Sequence, residues 1–75
     1  TELENVATRR EEIDKAYAIQ AGREVRIFVD AGKVDDWASM KLCRDIANDI
    51  QSELNYPGEI KVNMIREKRF IEFAR

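Results

Sequence analysis

The sequence predicts a small α+β domain. An N-terminal helix is followed by a ββαββ arrangement, in which a four-stranded, mainly antiparallel sheet carries one long helix packed on one face. Three observations predict this fold. Apolar residues recur at helical spacing between Val34 and Leu54, alternate with polar residues over 24–29, and alternate again over 59–74. The 75 residues suffice for one domain with a modest core.

The first predicted helix covers residues 2–14. Within it and just beyond its end, a set of mostly apolar residues falls at helical spacing: Leu3, Val6, Ala7, Arg10, Ile13 and Tyr17. The apolar side is thin, so this helix needs the sheet or an upstream domain to pack against. The chain begins at Thr1 within this pattern and without a methionine. We therefore expect a piece of a longer protein, in which residues 1–14 join from a preceding domain and 15–75 form an accessory domain.

The next segment predicts a β-hairpin. Residues 16–20 form the first strand, Ala21 and Gly22 turn, and residues 24–29 return, with Gly22 able to supply the positive φ of a tight turn. The second strand places one set of side chains towards the helix and the other set away from it. The first set is Val25, Ile27 and Val29, and the second is Glu24, Arg26 and Phe28.

The long helix from Val34 to Leu54 organises the predicted fold. Asp35 is a suitable N-cap, and Pro57 ends the pattern because it disfavours helical geometry at the residue before it. An apolar stripe centred on Cys43 would face the sheet. Its other members are Ser39, Met40, Ile46, Ala47, Ile50 and Leu54. On this interpretation Cys43 is a small buried hydrophobe.

Residues 59–74 predict a second hairpin with a turn at 66–68. The side chains expected to face the helix are Ile60, Val62, Ile71 and Phe73. Phe28 and Phe70 would then point to the opposite face, together with Ile65. These three residues form our candidate interface, to be covered by the first helix, a preceding domain or another copy of the chain.

The residue types point away from catalysis in this piece. The chain has no histidine, and its single cysteine excludes an internal disulfide and has no candidate base. Asp35 and Asp36 are better explained by helix capping than by metal binding. We expect no cofactor, and no apolar run is long enough to cross a membrane, so the piece itself should be soluble.

Basic side chains concentrate on the predicted strands and turns. They offer a weak candidate RNA-contact surface formed by Arg23, Arg26, Lys61, Arg66 and Arg69. Acidic residues are interleaved with them, and the net charge is −2, with 13 basic and 15 acidic residues. Pairing of opposite charges across strands is therefore the preferred interpretation.

Several strings resemble, in order and register, the ribonuclease Y family of bacterial endoribonucleases. They are YAIQAGREVRI at 17–27, VDD at 34–36, RDIA at 44–47, YPGEIKV at 56–62, IREKR at 65–69 and EFAR at 72–75. The resemblance implies a protein with an N-terminal membrane anchor, a coiled coil, an RNA-binding KH domain and an HD domain that uses divalent metal to make the cuts that initiate mRNA decay. The matching strings cover only the region after the HD domain, so no catalytic or metal-binding residue is carried over.

The resemblance leaves the role of this C-terminal region open. We expect a non-catalytic domain for self-association or other protein contacts. The alternatives are an RNA-positioning surface and a structural cap that stabilises the HD domain. The parent protein would lie at the cytoplasmic side of the bacterial membrane through its anchor.

Overall fold

The computed structural model describes residues 2–19, 21 and 23–75. Five elements follow one another in this part of the chain: α1 (Glu2–Ala7), β1 (Ile13–Ile19), β2 (Glu24–Asp30), α2 (Asp36–Glu53) and β3 (Lys61–Glu67). They form one three-stranded sheet in the order β1-β2-β3. β1 runs antiparallel to β2, and β3 runs parallel to β2. Both helices contact the same buried side of the sheet, and the other side carries no helix among the described residues.

The long helix and its N-cap are confirmed. Asp35 has extended backbone angles, and its Oδ1 accepts a hydrogen bond from the Ala38 N–H at 2.8 Å. The buried side is formed by Ser39, Leu42, Ile46 and Ile50. The stripe is thus centred near Ile46 rather than Cys43, which is only half-buried, and Met40 is 64% exposed.

The central strand is also confirmed. Val25, Ile27 and Val29 are completely buried, and Glu24, Arg26 and Phe28 lie on the opposite face. The predicted hairpin turn at Gly22 lies outside the described residues. Arg23, next to it, has a φ of 49°, in the left-handed region.

The prediction of a four-stranded sheet with ββαββ order is wrong, because the described residues form three strands. A helix of 18 residues is about 27 Å long, and it returns the chain to the starting end of β2. The next strand beside β2 therefore runs parallel to it, as in a βαβ unit. The predicted turn at 66–68 is also wrong, because Arg66 and Glu67 continue β3.

Residues 68–75, here called the tail, form no strand. Ile71 and Phe73, expected to face the helix, are 71% and 76% exposed. An ion pair of Arg69 accounts for the position of the tail. Its Nη2 lies 3.0 Å from Oδ2 of Asp14. Asp14 belongs to β1, the far strand of the sheet, so the start of the tail is tied away from the free edge of β3 where a fourth strand would pair.

The N-terminal helix is shorter than predicted. It ends at Ala7 instead of residue 14, and Ile13 belongs to β1. Leu3, Val6 and Ala7 are nevertheless buried, as their spacing indicated. Whether residues 1–14 join a preceding domain stays a prediction.

One apolar core holds the two layers together. Its buried members are Leu3, Val6, Ala7, Ile13, Val25, Ile27, Val29, Val34, Leu42, Ile46 and Ile50. No helix in the described part of the chain is long and apolar enough to cross a membrane.

Candidate interaction surfaces

Phe28 lies on the helix-free side of the sheet and is covered by its own chain. The Tyr17 ring meets it edge-on, with centroids 5.9 Å apart and planes at 77°. The Lys15 ammonium group lies 4.9 Å from the Phe28 ring centroid and 4.0 Å from Oε1 of Glu67. Each aromatic contact contributes on the order of 1 kcal/mol. Phe28 is therefore half-buried without help from α1, which packs on the opposite side of the sheet.

The candidate interface Phe28, Ile65 and Phe70 is only partly assembled. Phe28 and Ile65 are direct neighbours on β2 and β3. Phe70 lies in the tail and is 89% exposed. The exposed apolar surface around it is contributed by Ile71 and Phe73 instead.

The five basic residues proposed to contact RNA do not form one surface. Lys61 of β3 lies opposite Glu24 of β2 at one end of the sheet. There the Lys61 backbone N–H donates to the Arg23 carbonyl at 2.8 Å. Arg66 and Arg69 belong to the opposite end. The candidates are thus divided between two ends of the sheet.

The arginines among them are occupied within the chain. The Arg23 guanidinium donates to the Pro57 carbonyl, and Arg26 Nε donates to Oε2 of Glu24 at 3.1 Å. Arg69 is paired with Asp14 and Glu67. The carboxylates that Arg26 and Arg69 bind neutralise charge that phosphate binding would require, whereas Arg23 keeps its charge and is held by a neutral carbonyl.

Arg66 points to the helical side and clamps the loop between β2 and α2. Its Nε donates to the Val34 carbonyl at 2.8 Å, its Nη2 donates to the Ala31 carbonyl at 3.1 Å, and its Nη1 donates to Oδ1 of Asp36. Three contacts from one guanidinium fix the approach to α2. The sequence pattern placed Arg66 in a turn and missed this role.

Glu24 is a buried carboxylate on the outer side of the sheet. Its Oε2 accepts hydrogen bonds from Asn63 Nδ2 and from Arg26 Nε, both at 3.1 Å. The hydrogen bond from Asn63, followed by that from Arg26, lowers the pKa of Glu24 below its ordinary value. The ionised carboxylate therefore links β2 to β3.

A second set of ion pairs joins the α1–β1 loop to the end of α2. Arg9 binds Glu53 through two hydrogen bonds of 2.9 and 2.6 Å, and Arg10 binds Asp49 at 2.7 Å. The bond from Arg9 lowers the pKa of Glu53, and the same bond raises the pKa of Arg9. These arginines also offset the unfavourable position of two carboxylates near a helix C-terminus.

A groove of about 590 Å³ lies between α2 and β3. We call it the α2–β3 groove, and it is lined by Asp36, Ser39, Met40, Cys43, Met64 and Arg66. Its helical wall left only a partial signal in the sequence: Trp37, Met40 and Cys43 recur every three residues along one flank of the helix, beside the buried stripe, but this spacing does not show which strand lies next to them.

Two polar groups of the groove stand out. The Ser39 hydroxyl is buried and has no hydrogen-bond partner among the described residues. The Cys43 Sγ lies 3.6 Å from the Val62 carbonyl, and burial raises the pKa of this thiol. No group of three or more histidine, cysteine, aspartate or glutamate side chains in the described ranges is arranged to hold a metal ion.

Comparison with known proteins confirms the resemblance to ribonuclease Y. The chain is 53% identical over 73 residues to ribonuclease Y of Desulforamulus reducens, covering 97% of this chain and 14% of that protein. It is 53% identical over all 75 residues to ribonuclease Y of Desulforudis audaxviator, or 15% of that protein. It is 58% identical over 73 residues to ribonuclease Y of Borrelia garinii subsp. bavariensis, covering 97% of this chain and 14% of that protein.

These matches cover nearly all of this chain but only a small part of each relative. The chain spans about a seventh of the length of the curated relatives it matches. No family model matches the chain, and no solved structure matches it.

Proposed function

Because this chain belongs to the ribonuclease Y family, we propose that it is a non-catalytic, C-terminal module of that endoribonuclease whose role is protein contact, above all contact with a second copy of itself. The observation that carries the proposal is uncovered apolar surface. Five large apolar side chains are between 64% and 89% exposed: Trp37, Met40, Phe70, Ile71 and Phe73. Such surface on a small domain is typical of an interaction site.

The chemistry of the side chains supports a non-catalytic role. The chain has no histidine to act as a general base. Its one thiol has a raised pKa and rests against a backbone carbonyl, so it is a poor nucleophile. Catalysis by the whole protein would then belong to parts of ribonuclease Y outside this sequence.

RNA positioning is the less well supported alternative. Arg23, Arg26 and Arg69 are paired within the chain, and Arg66 is directed to the helical side. The net charge of −2 adds no general attraction for phosphate. Protein contact requires no rearrangement of these pairs.

Sedimentation of the 75-residue chain tests the proposal. The weight-average mass should rise with protein concentration towards that of a dimer. The Phe70→Glu and Phe73→Glu variants should shift this rise to higher concentration, because each places a charge in the exposed apolar surface. Lys33→Glu, an exposed change in the β2–α2 loop, is the control and should behave as the unmodified chain. A strict monomer up to high micromolar concentration would refute self-association.

A further inference from the structure

We propose that the free edge of β3 and the adjoining α2–β3 groove receive the tail of a second copy as an added strand, so that two copies exchange their tails. This inference rests on the proposed self-association and specifies its geometry. The exchange would add in a dimer a fourth strand to the three that the described residues of one chain form.

The two edges of the sheet differ in a way that favours β3. At the β1 edge, the Ala18 N–H is already occupied by Oε2 of Glu4 at 2.8 Å. β3 pairs only with β2 among the described residues, which leaves its other edge available. An open edge next to a groove with methionine walls is a template for an added strand.

Hydrogen bonds at the two ends of β3 fix the direction in which its backbone N–H and C=O groups point. The Lys61 N–H donates to the Arg23 carbonyl, and the Glu67 carbonyl accepts from the Ala31 N–H. Odd-numbered residues of β3 therefore direct their backbone groups to the β2 side. Since orientation alternates along a strand, Val62, Met64 and Arg66 direct theirs to the free edge. The Val62 carbonyl already accepts a contact from the Cys43 thiol at 3.6 Å, so the remaining groups of these three residues are the ones that can form a new ladder.

The groove beside this edge suits apolar side chains. Met40 and Met64 contribute flexible thioether walls, and methionine adapts to varied partners. The Ser39 hydroxyl is buried in this wall and has no partner in the part of the chain that the structure describes. A strand laid along the edge would bring backbone groups close to the groove, where that hydroxyl could be satisfied.

The tail has the complementary pattern. Ile71 and Phe73 are two residues apart, so an extended tail directs both to the same side, with Phe70 and Glu72 on the other. Ile71 and Phe73 are each more than two-thirds exposed in the single chain. If the tail lay along β3, Ile71 and Phe73 would enter the groove. Phe70 would then lie over the outer face near Ile65.

The attachment of Arg69 explains why the partner is a second copy. Its guanidinium is bound to Asp14 on β1 and to Glu67, at 3.0 and 3.3 Å. The tail of a chain therefore departs over the sheet away from its own β3 edge. The same segment of a neighbouring copy meets no such constraint, and a two-fold arrangement lets each tail reach the other edge.

Complementation of two variants tests the exchange. Met40→Glu alters the groove and keeps the tail, and Phe73→Glu alters the tail and keeps the groove. Both side chains are exposed, so circular dichroism melts should give the wild-type Tm at a concentration low enough to keep the chain monomeric. Each variant alone should raise the dimer dissociation constant by at least about tenfold. An equimolar mixture should recover part of the association, because the intact tail of one copy fits the intact groove of the other.

The outcomes separate this inference from the proposed function. If the unmodified chain dimerises and both variants dimerise equally well, the exchange is wrong while self-association stands. If each variant is weakened and the mixture recovers nothing, a symmetric contact between identical faces replaces the exchange. A monomeric unmodified chain removes both proposals. Should Met40→Glu fail to fold, Met40→Lys takes its place in the same mixture.

Discussion

Replacing two isoleucines by alanine distinguishes the three-stranded sheet from the four-stranded one. Ile27 lies in the central strand between Ala16 and Met64 and is completely buried. Truncating it should cost about 2–5 kcal/mol from lost burial and the cavity left behind. The whole domain of 75 residues should have about 4–11 kcal/mol of stability at typical values per residue. Ile27→Ala should therefore remove a large part of it.

Ile71 is the matched comparison, because the alternation pattern placed it on the same apolar face. It is 71% exposed in the tail, so Ile71→Ala should change the free energy of unfolding by no more than about 0.5 kcal/mol. Urea unfolding followed by circular dichroism measures both, at a concentration low enough to keep the chain monomeric. If Ile71→Ala costs more than about 1.5 kcal/mol under those conditions, the tail packs on its own core and the reasoning fails.

Two further changes test local contacts by the same urea assay. Asp35→Ala should lose about 0.5–2 kcal/mol because the first turn of α2 loses its cap, while Asp35→Asn should lose much less; equal losses would refute a capping role. Hydrogen bonds from Asn63 and Arg26 hold the pKa of Glu24 in the folded state below its ordinary value of 4.5. The ionised carboxylate therefore stabilises the fold above about that pH, and its contribution is lost as the pH falls through the folded-state pKa. Glu24→Gln should therefore be less stable at neutral pH and should show a smaller loss on acidification, and an unchanged acid profile would contradict the assignment.

The local elements of this protein could be read from the sequence because their causes are local. Asp35 before an apolar 3.6-residue pattern specifies where a helix begins, and the strict alternation around Ile27 specifies a strand buried on one face. The ribonuclease Y resemblance was likewise carried by strings of neighbouring residues. The burial of Leu3 and Val6 followed from spacing alone.

Other features depended on distant partners. The Asp14–Arg69 pair joins positions far apart in the chain, and it leads the tail away from the edge where its own alternation predicted a strand. Alternation records which side chains can share a face, but it does not record which chain supplies the neighbouring strand. The same limitation hid the groove beside Met40, which exists only once β3 lies parallel to β2 under one flank of α2.

The sequence by itself determined a capped helix, a buried central strand and the family. The tertiary structure decided the parallel pairing of β3, the role of Arg66 as a clamp on the loop before α2, and the exposure of the tail. The physical reason is the range of the interactions. Helix periodicity and capping act within a few residues, whereas strand order and ion pairing depend on where a helix about 27 Å long returns the chain.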